Sequence, residues 1–124
     1  MPKNSAPDTR TKIISISANR NTGVYDIVTA SEDLVAELLG VYVDTTVTGL
    51  TAVSIQTDDS TPVVLVSAAE GAVAGLTAGK NLTFALASKI FLKSGKKVQL
   101  SILTTNGTGG TLKLALRHTG ALAT

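Results

Sequence analysis

Apolar and polar residues alternate with a period of two along most of the chain. The alternation is clearest in three segments, in which every second residue is Ile, Val or Leu: KIISIS, KVQLSIL and TLKLALR. Successive side chains of a β-strand point to opposite faces, so each segment has one face suited to a core and one suited to solvent. The predicted core positions on these faces are Ile14, Ile16, Val98, Leu100, Ile102, Leu112, Leu114 and Leu116.

Shorter apolar segments fill the intervals between these three. They are GVYDIV, TAVSIQT, PVVLVS, NLTFAL and KIFL, and stretches rich in turn residues, such as ANRNTG and TDDSTP, separate them. Many short strands with turn residues between them are typical of all-β folds. The pattern therefore predicts an antiparallel β-sandwich of about eight strands over residues 13–119.

The two ends of the chain and one glycine-rich loop lack this alternation. Residues 1–12 are polar and include two prolines, so we expect an extended N-terminal arm, and we expect residues 120–124 to form a C-terminal tail. The loop TTNGTGG lies between two predicted strands. Its pairs Asn106-Gly107 and Gly109-Gly110 are interpreted as positions that permit positive φ in a hairpin connection.

The segment SEDLVAELL, from Ser31 to Leu39, has two interpretations. A Ser cap, early acidic residues and good helix formers are how a helix begins. The segment nevertheless runs directly into GVYVDTTV, which has a clear β pattern, and its apolar residues would support at most two helical turns. We favour a strand from about Leu34 to Thr45 that is bent or bulged at Gly40, and a short helix is the alternative.

Composition restricts what such a sandwich can do. Of the 124 residues 44% are hydrophobic, but only 3% are aromatic, and the chain has no Trp and no Cys. We therefore expect an aliphatic core without disulfides. Sugar and single-stranded nucleic-acid sites usually stack their ligands on aromatic side chains, so both classes are disfavoured. The formal net charge is only +2, and the basic cluster of Lys93, Lys96 and Lys97 is interpreted as a solvated turn.

Three features bear on catalysis or ligand binding. The spacing of a P-loop is absent, because Ala74 and Ile90 stand where its first glycine is needed in AGLTAGKN and KSGKK. Asp58 and Asp59 could give oxygens to a calcium ion, but ordinary turn chemistry is the stronger explanation. His118, the single histidine, is expected just beyond the last strand, and no second histidine or nucleophile motif accompanies it. We expect no enzymatic activity, no cofactor and no metal.

Low charge favours association between copies. Charged residues make up 16% of the chain, and the long tract from Val63 to Leu76 contains only one, Glu70. Weakly polar surface and unpaired edge strands are commonly covered by other subunits. We therefore expect a homo-oligomer, with a trimer as the first choice.

Two long segments of the chain resemble a group of small bacteriophage structural proteins. They are GVYVDTTVTGLTAVSIQTDDSTPVVLVSAAEGAVAGLTAGKNL and IFLKSGKKVQLSILTTNGTGGTLKLALR. In that group an AGKN turn leads to a strand, an LPSGKK-like turn leads to the next strand, and a Gly/Thr-rich hairpin precedes a final apolar strand. This chain departs from the pattern at Lys93, which replaces the more familiar proline.

The resemblance implies a jelly-roll-like subunit of a virion, made in the host cytoplasm and placed on the capsid surface as a decoration or cement protein. Its partners would be other copies of itself and the major capsid protein. From the few aromatic residues and the lack of a long apolar run we expect no nucleic-acid partner and no membrane. The capsid contacts expected in the arm are Lys3, Arg10 and Lys12. The alternative is a fibre, tail or host-recognition module that binds through exposed loop tips, namely Asp58, Asp59, Asn106, Gly107 and Gly109.

Overall fold

The computed structural model describes residues 10–49, 52–72, 76–82 and 89–124. Within these ranges the chain forms nine β-strands and no α-helix. The strands are β1 (Arg10–Ser17), β2 (Gly23–Ala30), β3 (Leu34–Thr45), β4 (Ala52–Thr57), β5 (Val64–Val66), β6 (Ile90–Leu92), β7 (Lys97–Leu103), β8 (Thr111–Thr119) and β9 (Leu122–Ala123).

The strands form two antiparallel sheets. One has four strands in the order β1-β8-β3-β6, and the other has five in the order β5-β4-β7-β2-β9. The neighbouring pairs are therefore β4/β5, β3/β6, β2/β7 and β1/β8. These pairs have the order of one long antiparallel hairpin that turns between β4 and β5 and is folded across both sheets. This connectivity confirms the predicted antiparallel β-sandwich and is jelly-roll-like.

The core lies between the two sheets and is aliphatic. The predicted core positions in β1, β7 and β8 are all buried, so the alternation seen in the sequence does mark the inner face. Residues outside the named strands also reach the core, among them Ala18, Val47, Leu76 and Leu82. Burial of apolar side chains from both sheets is what holds the layers together.

β3 confirms the strand interpretation of SEDLVAELL and rules out the helix. It runs from Leu34 to Thr45 and pairs with β8 from Val35 onward, with register shifts between Leu38 and Gly40 and between Val43 and Thr45. The first shift is the one near the predicted bulge. The extra residue there is Leu39, which changes the parity of the strand. The buried residues Leu34, Ala36 and Leu38 before the bulge and Val41 and Val43 after it consequently face the same core.

Two expectations about the end of the chain are wrong. His118 lies within β8, not beyond it, because β8 continues to Thr119 opposite β3. The loop TTNGTGG does not close a hairpin, since β7 and β8 belong to different sheets and the loop crosses between them.

Other segments differ in extent from the sequence pattern. Arg10 to Lys12, which the pattern assigns to the arm, belong to β1 because β8 supplies partners as far as His118 opposite Arg10. Two residues of the expected tail form β9 and pair with Thr29 and Ala30. The rest of the arm, through Thr9, and residues 83–86 of the NLTFAL segment lie outside the described residues.

Candidate functional site

The connections between strands cluster at the two ends of the sandwich. Because the pairings are antiparallel, residues 31–33, 58–63, 93–96 and 120–121 meet at one end, which we call the β4–β5 end. Residues 18–22, 46–49 and 104–110 meet at the other, which we call the β7–β8 end. The loop residues predicted from the sequence divide between these ends, Asp58 and Asp59 at the first and the glycine-rich loop at the second.

Asp58 and Asp59 are bound by the lysine-rich turn of the same chain. The backbone N–H of Lys97 donates to Asp58 Oδ1 at 3.0 Å, and Lys96 Nζ lies 3.0 Å from Asp59 Oδ1. The hydroxyl of Thr57 donates to Asp59 Oδ2 at 2.8 Å. The Thr57 hydrogen bond, followed by that of Lys96, lowers the pKa of Asp59, and the same ion pair raises the pKa of Lys96. The carboxylates of the acidic turn thus have their hydrogen-bond and ion-pair partners in the lysine-rich turn.

Other acidic side chains near this end also form hydrogen bonds or ion pairs within the chain. Asp33 Oδ1 accepts from the N–H of Ser94 at 2.8 Å, and Glu32 Oε2 accepts from the N–H of Ala121 at 2.9 Å. Asp26, on β2, accepts from Gln99 Nε2 at 2.9 Å and pairs with Lys97 Nζ at 3.2 Å. The hydrogen bond from Gln99, then that from Lys97, lowers the pKa of Asp26. These carboxylates tie neighbouring segments together.

The described part of the chain offers no constructed metal site. None of its His, Asp and Glu residues form a group of three or more that could hold an ion. In the same residues, every buried side-chain nitrogen or oxygen has a hydrogen-bond partner. There is accordingly no unsatisfied polar atom that points to a bound ligand.

The glycine-rich loop at the β7–β8 end is packed against two other connections. Asn106 Oδ1 accepts from the N–H of Thr22 at 2.9 Å, and the N–H of the buried Gly107 donates to Arg20 O at 2.8 Å. Thr108 pairs with Thr48, and the Thr48 hydroxyl donates to the Thr108 carbonyl. Positive φ occurs at Gly109 (80°) and Gly110 (100°) as predicted, but not at Asn106 or Gly107. The side chain of Asn106 and Gly109 remain exposed in an otherwise anchored loop.

His118 is a buried strand residue. Only 5% of it is exposed, and its Nδ1 lies 2.8 Å from the carbonyl oxygen of Gly120. The hydrogen bond joins the end of β8 to the turn that precedes β9. The geometry assigns His118 a structural role at the β4–β5 end.

The predicted basic contacts occupy different environments. Lys3 lies outside the described residues, and Arg10 is exposed at the start of β1. Lys12 is half-buried, and its Nζ donates to the carbonyl oxygen of Leu122 at 3.3 Å. This contact joins the edge strand β1 of one sheet to the edge strand β9 of the other.

A surface that the sequence analysis missed lies on the outside of the four-stranded sheet. Ile13 is 68% exposed and Phe91 is 64% exposed, and Val35, which pairs with Phe91, is also exposed. We call this surface the outer face and define it by its exposed apolar residues, which are Ile13, Val35, Leu39, Tyr42 and Phe91. The signal available in the sequence was apolar side chains at positions where the alternation calls for polar ones.

Two shallow clefts shape the outer face. One, of about 260 Å³, is lined mainly by Ile13, Gly40, Tyr42 and Lys113. The other, of about 350 Å³, lies beside Val35 and contains the Glu37–Arg117 ion pair, in which Arg117 Nη1 and Glu37 Oε1 are 3.3 Å apart. Both clefts are open to solvent. The first is mainly apolar, and the second is more polar, with Lys89 beside the ion pair.

No protein-family model and no curated protein matches the chain. Solved structures do match it in fold. The capsid asymmetric unit of cyanophage Pam1 matches with a TM-score of 0.50 at 14% identity, over 98% of this chain and 91% of that one. The acid-stable capsid of Helicobacter pylori bacteriophage KHP30 gives 0.49 at 14% identity, over 95% and 97%. The disulfide-linked pili of Bacillus endospore appendages give 0.45 at 15% identity, over 98% and 96%.

At these identities the likeness concerns the fold. The Pam1 match extends over nearly the whole of this chain and is consistent with a single β-sandwich unit. Within the residues that the structure describes, no helix has the length and hydropathy needed to cross a membrane.

Proposed function

We propose that the chain is a non-enzymatic structural protein of a bacteriophage virion, and specifically a decoration or cement protein on the capsid surface. The observation that carries the proposal is the outer face, where large apolar side chains are exposed to solvent on the outside of the four-stranded sheet. Contiguous apolar surface on a small soluble domain is typical of a protein interaction site. The fold likeness to a phage capsid chain and the sequence resemblance support the choice of partner.

The chemistry of the described residues favours binding over catalysis. The acidic side chains at the β4–β5 end hold their own loops, and His118 is hydrogen-bonded to Gly120. A general base needs a substrate proton within reach, and these groups are already occupied. Burying the outer face would instead contribute about 25 cal/mol per Å² before the costs of association are subtracted.

The partner surface on the major capsid protein would be apolar and acidic. Lys113 and Arg117 lie among the apolar residues of the outer face, on strand β8. Arg10 is exposed at the edge of the same sheet, and we retain it, with Lys3, as a proposed contact. Lys12 is a weaker candidate, because its ammonium group already donates to Leu122.

The experiment is co-sedimentation of the purified chain with capsids that lack it. Phe91→Glu places a charge on the outer face at its β6 edge and should weaken capsid binding by about tenfold or more. Val24→Glu is the matched control, because Val24 is 58% exposed on the other sheet and should tolerate the charge. Binding that is absent in the unmodified chain, or equal in the two variants, would contradict the proposal.

The alternative function is a fibre, tail or host-recognition module that uses the loop tips. Asp58, Asp59, Asn106 and Gly107 are hydrogen-bonded within the chain, which leaves them less adaptable as receptor contacts. Copy number separates the two functions, since hundreds of copies per particle fit decoration and a handful fit a fibre. The proposed trimer is tested by the mass of the purified protein in solution.

A further inference from the structure

β1 is the longest unpaired edge in the described part of the fold. All eight of its residues pair with β8, from Arg10 opposite His118 to Ser17 opposite Thr111, without any register shift. No described strand lies on its other side. An edge strand of this length presents a row of N–H and C=O groups that can pair with another strand.

The other edges are covered or interrupted. The exposed side of β3 is covered by β6 at one end and by residues 79–82 at the other, where Val43 donates to Lys80 O and Leu82 donates to Val41 O. β4 is covered by β5 and by the contact of Val53 N–H with Gly71 O. Each of these edges therefore has a partner within the chain.

β2, which shares the side of the sandwich with β1, is protected in a different way. β9 pairs with its last two residues, and a bulge between Asp26 and Val28 breaks its register. The charged side chain of Asp26 is exposed on the same strand. Bulges and charges of this kind prevent edge-to-edge pairing, and the central part of β1 has neither.

The phase of the β1–β8 ladder identifies the free backbone groups. The N–H of Ala18 donates to Gly110 O at 2.9 Å, which continues the pairing of Ser17 with Thr111. In an antiparallel ladder the hydrogen-bonded positions alternate, so the even-numbered residues of β1 bond to β8. The free N–H and C=O groups then belong to the odd-numbered residues, which are Thr11, Ile13, Ser15 and Ser17.

Charge is confined to the first three residues of this edge. Arg10 and Lys12 are its only charged side chains, and Lys12 turns inward to donate to Leu122. The stretch from Ile13 to Ser17 is uncharged, and Ile13 projects into solvent on the outer face. A strand that joined this edge would continue the sheet and place a side chain of its own beside Ile13.

We propose that β1 pairs antiparallel with β1 of a second copy, so that two four-stranded sheets become one continuous sheet. A second copy is the fitting occupant because one two-fold contact satisfies both free edges at once. A register centred on Ser15 sets Ile13 opposite Ser17 of the other copy and keeps the two Arg10 side chains at opposite ends. This contact closes a two-fold dimer and not the trimer proposed above, so the inference goes beyond the proposed function and requires no capsid.

The test measures the mass of the purified full-length chain against concentration, together with amide hydrogen exchange. Ser15→Pro removes a free N–H and puts a ring on the open edge, while the bonds to β8 come from the neighbouring even-numbered residues. It should weaken self-association by about tenfold or more. Ser15→Ala keeps the N–H and is the matched control, expected to associate like the unmodified chain.

Amide hydrogen exchange shows directly whether β1 is the strand that pairs between copies. The amides of Thr11, Ile13, Ser15 and Ser17 should exchange quickly in dilute protein and become protected as concentration rises. The amides of Ile14 and Ile16, already bonded to β8, should be protected at both concentrations. If these odd-numbered amides stay unprotected in an associated form, or if the chain stays monomeric at high concentration, the proposal is wrong.

Two variants with opposite charges at position 15 test the pairing even if the proline variant fails to fold. Ser15→Lys and Ser15→Glu each put like charges near the two-fold axis and should each associate less than the unmodified chain. A mixture of the two should recover association, because opposite charges then meet. Failure of the mixture to recover, or a trimer with an unprotected β1 edge, would overturn the pairing and leave the capsid-binding experiment unaffected.

Discussion

At the scale of single residues, the β7–β8 end depends on a close backbone approach at Gly110. This residue has a φ of 100°, and a Cβ built on it would lie 2.5 Å from Cγ2 and 2.7 Å from Cα of Val47. Val47 is buried in the core, so it cannot move aside without disturbing its neighbours. Glycine is required here both by the left-handed conformation and by the space.

Gly110→Ala should lower the free energy of unfolding by about 2–4 kcal/mol, from left-handed strain and overlap with Val47 together. Gly95→Ala is the matched control, since Gly95 has a φ of 92° but nothing within 4 Å of its Cβ position. Strain alone predicts a loss of about 1–2 kcal/mol for the control. Urea unfolding of both variants measures the difference, and equal losses would show that the contact with Val47 is unimportant.

At the scale of the element, the bulge at Leu39 determines which side chains of β3 face the core. The strand pairs Leu38 with Leu116 and then Gly40 with Ala115, and Leu39 is the unpaired extra residue. Without a bulge, a strand that buries Leu38 would expose Val41, because side chains alternate with a period of two. The bulge lets both halves of the strand serve one core.

Deletion of Leu39 should therefore be tolerated, at a cost of no more than about 1–2 kcal/mol, because Leu38 and Gly40 would then continue a regular ladder. Deletion of Glu37 is the control of equal length. It reverses the parity of Leu34 and Ala36 and should cost about 3 kcal/mol or more. Denaturant unfolding compares the two, and a deletion of Leu39 that is the more damaging would contradict this account.

At the scale of the whole molecule, polar side chains at the β4–β5 end tie segments that are distant in sequence. Asp59 meets Lys96, Asp33 meets Ser94, and Glu32 meets Ala121. Lys12 adds a bond to Leu122 that spans the two sheets. These contacts close the end of the sandwich in place of a disulfide.

Acidification should weaken the contacts made by the carboxylates of Asp26 and Asp59. The pKa values of Asp26 and Asp59 in the folded chain lie below the ordinary value of 3.8, because hydrogen bonds and lysines favour the charged form. Their stabilising effect is complete above that value and is lost as the pH falls from 3.8 through the lower folded pKa. The free energy of unfolding should therefore decline across this acidic range.

The variant Asp26→Asn with Asp59→Asn checks this directly. Its unfolding free energy, measured by urea titration at a series of pH values, should decline less steeply on acidification than that of the unmodified chain. Added salt should also flatten the decline, since it screens exposed ion pairs. An unchanged slope in the double variant would assign the acid sensitivity to other groups.

The strands were predictable where the alternation was long enough to be unambiguous. β7, β8 and the bulge of β3 could all be inferred because their apolar residues repeat locally. β9 could not, since two residues carry no period and its pairing depends on β2. The crossing of the β7–β8 loop was also hidden, because consecutive strands look alike whether they pair or lie in opposite sheets.

The candidate site was predictable only in its parts. TDDSTP and KSGKK were each recognisable as turns, yet only the fold brings Asp59 and Lys96 together. Asn106 was expected at a loop tip, but its bond to Thr22 comes from a connection far away in the sequence. Ile13 and Phe91 were visible as apolar residues, and nothing local shows that no described segment covers them.

The sequence by itself determined the all-β class, the aliphatic core and the placement of the main strands, because these follow from local periodicity and composition. Tertiary structure alone decided which strands pair, which loops meet and which apolar side chains stay in solvent. Those outcomes depend on contacts between residues far apart in the chain. The open edge of β1 and the outer face beside it, on which both proposals rest, belong to this second group.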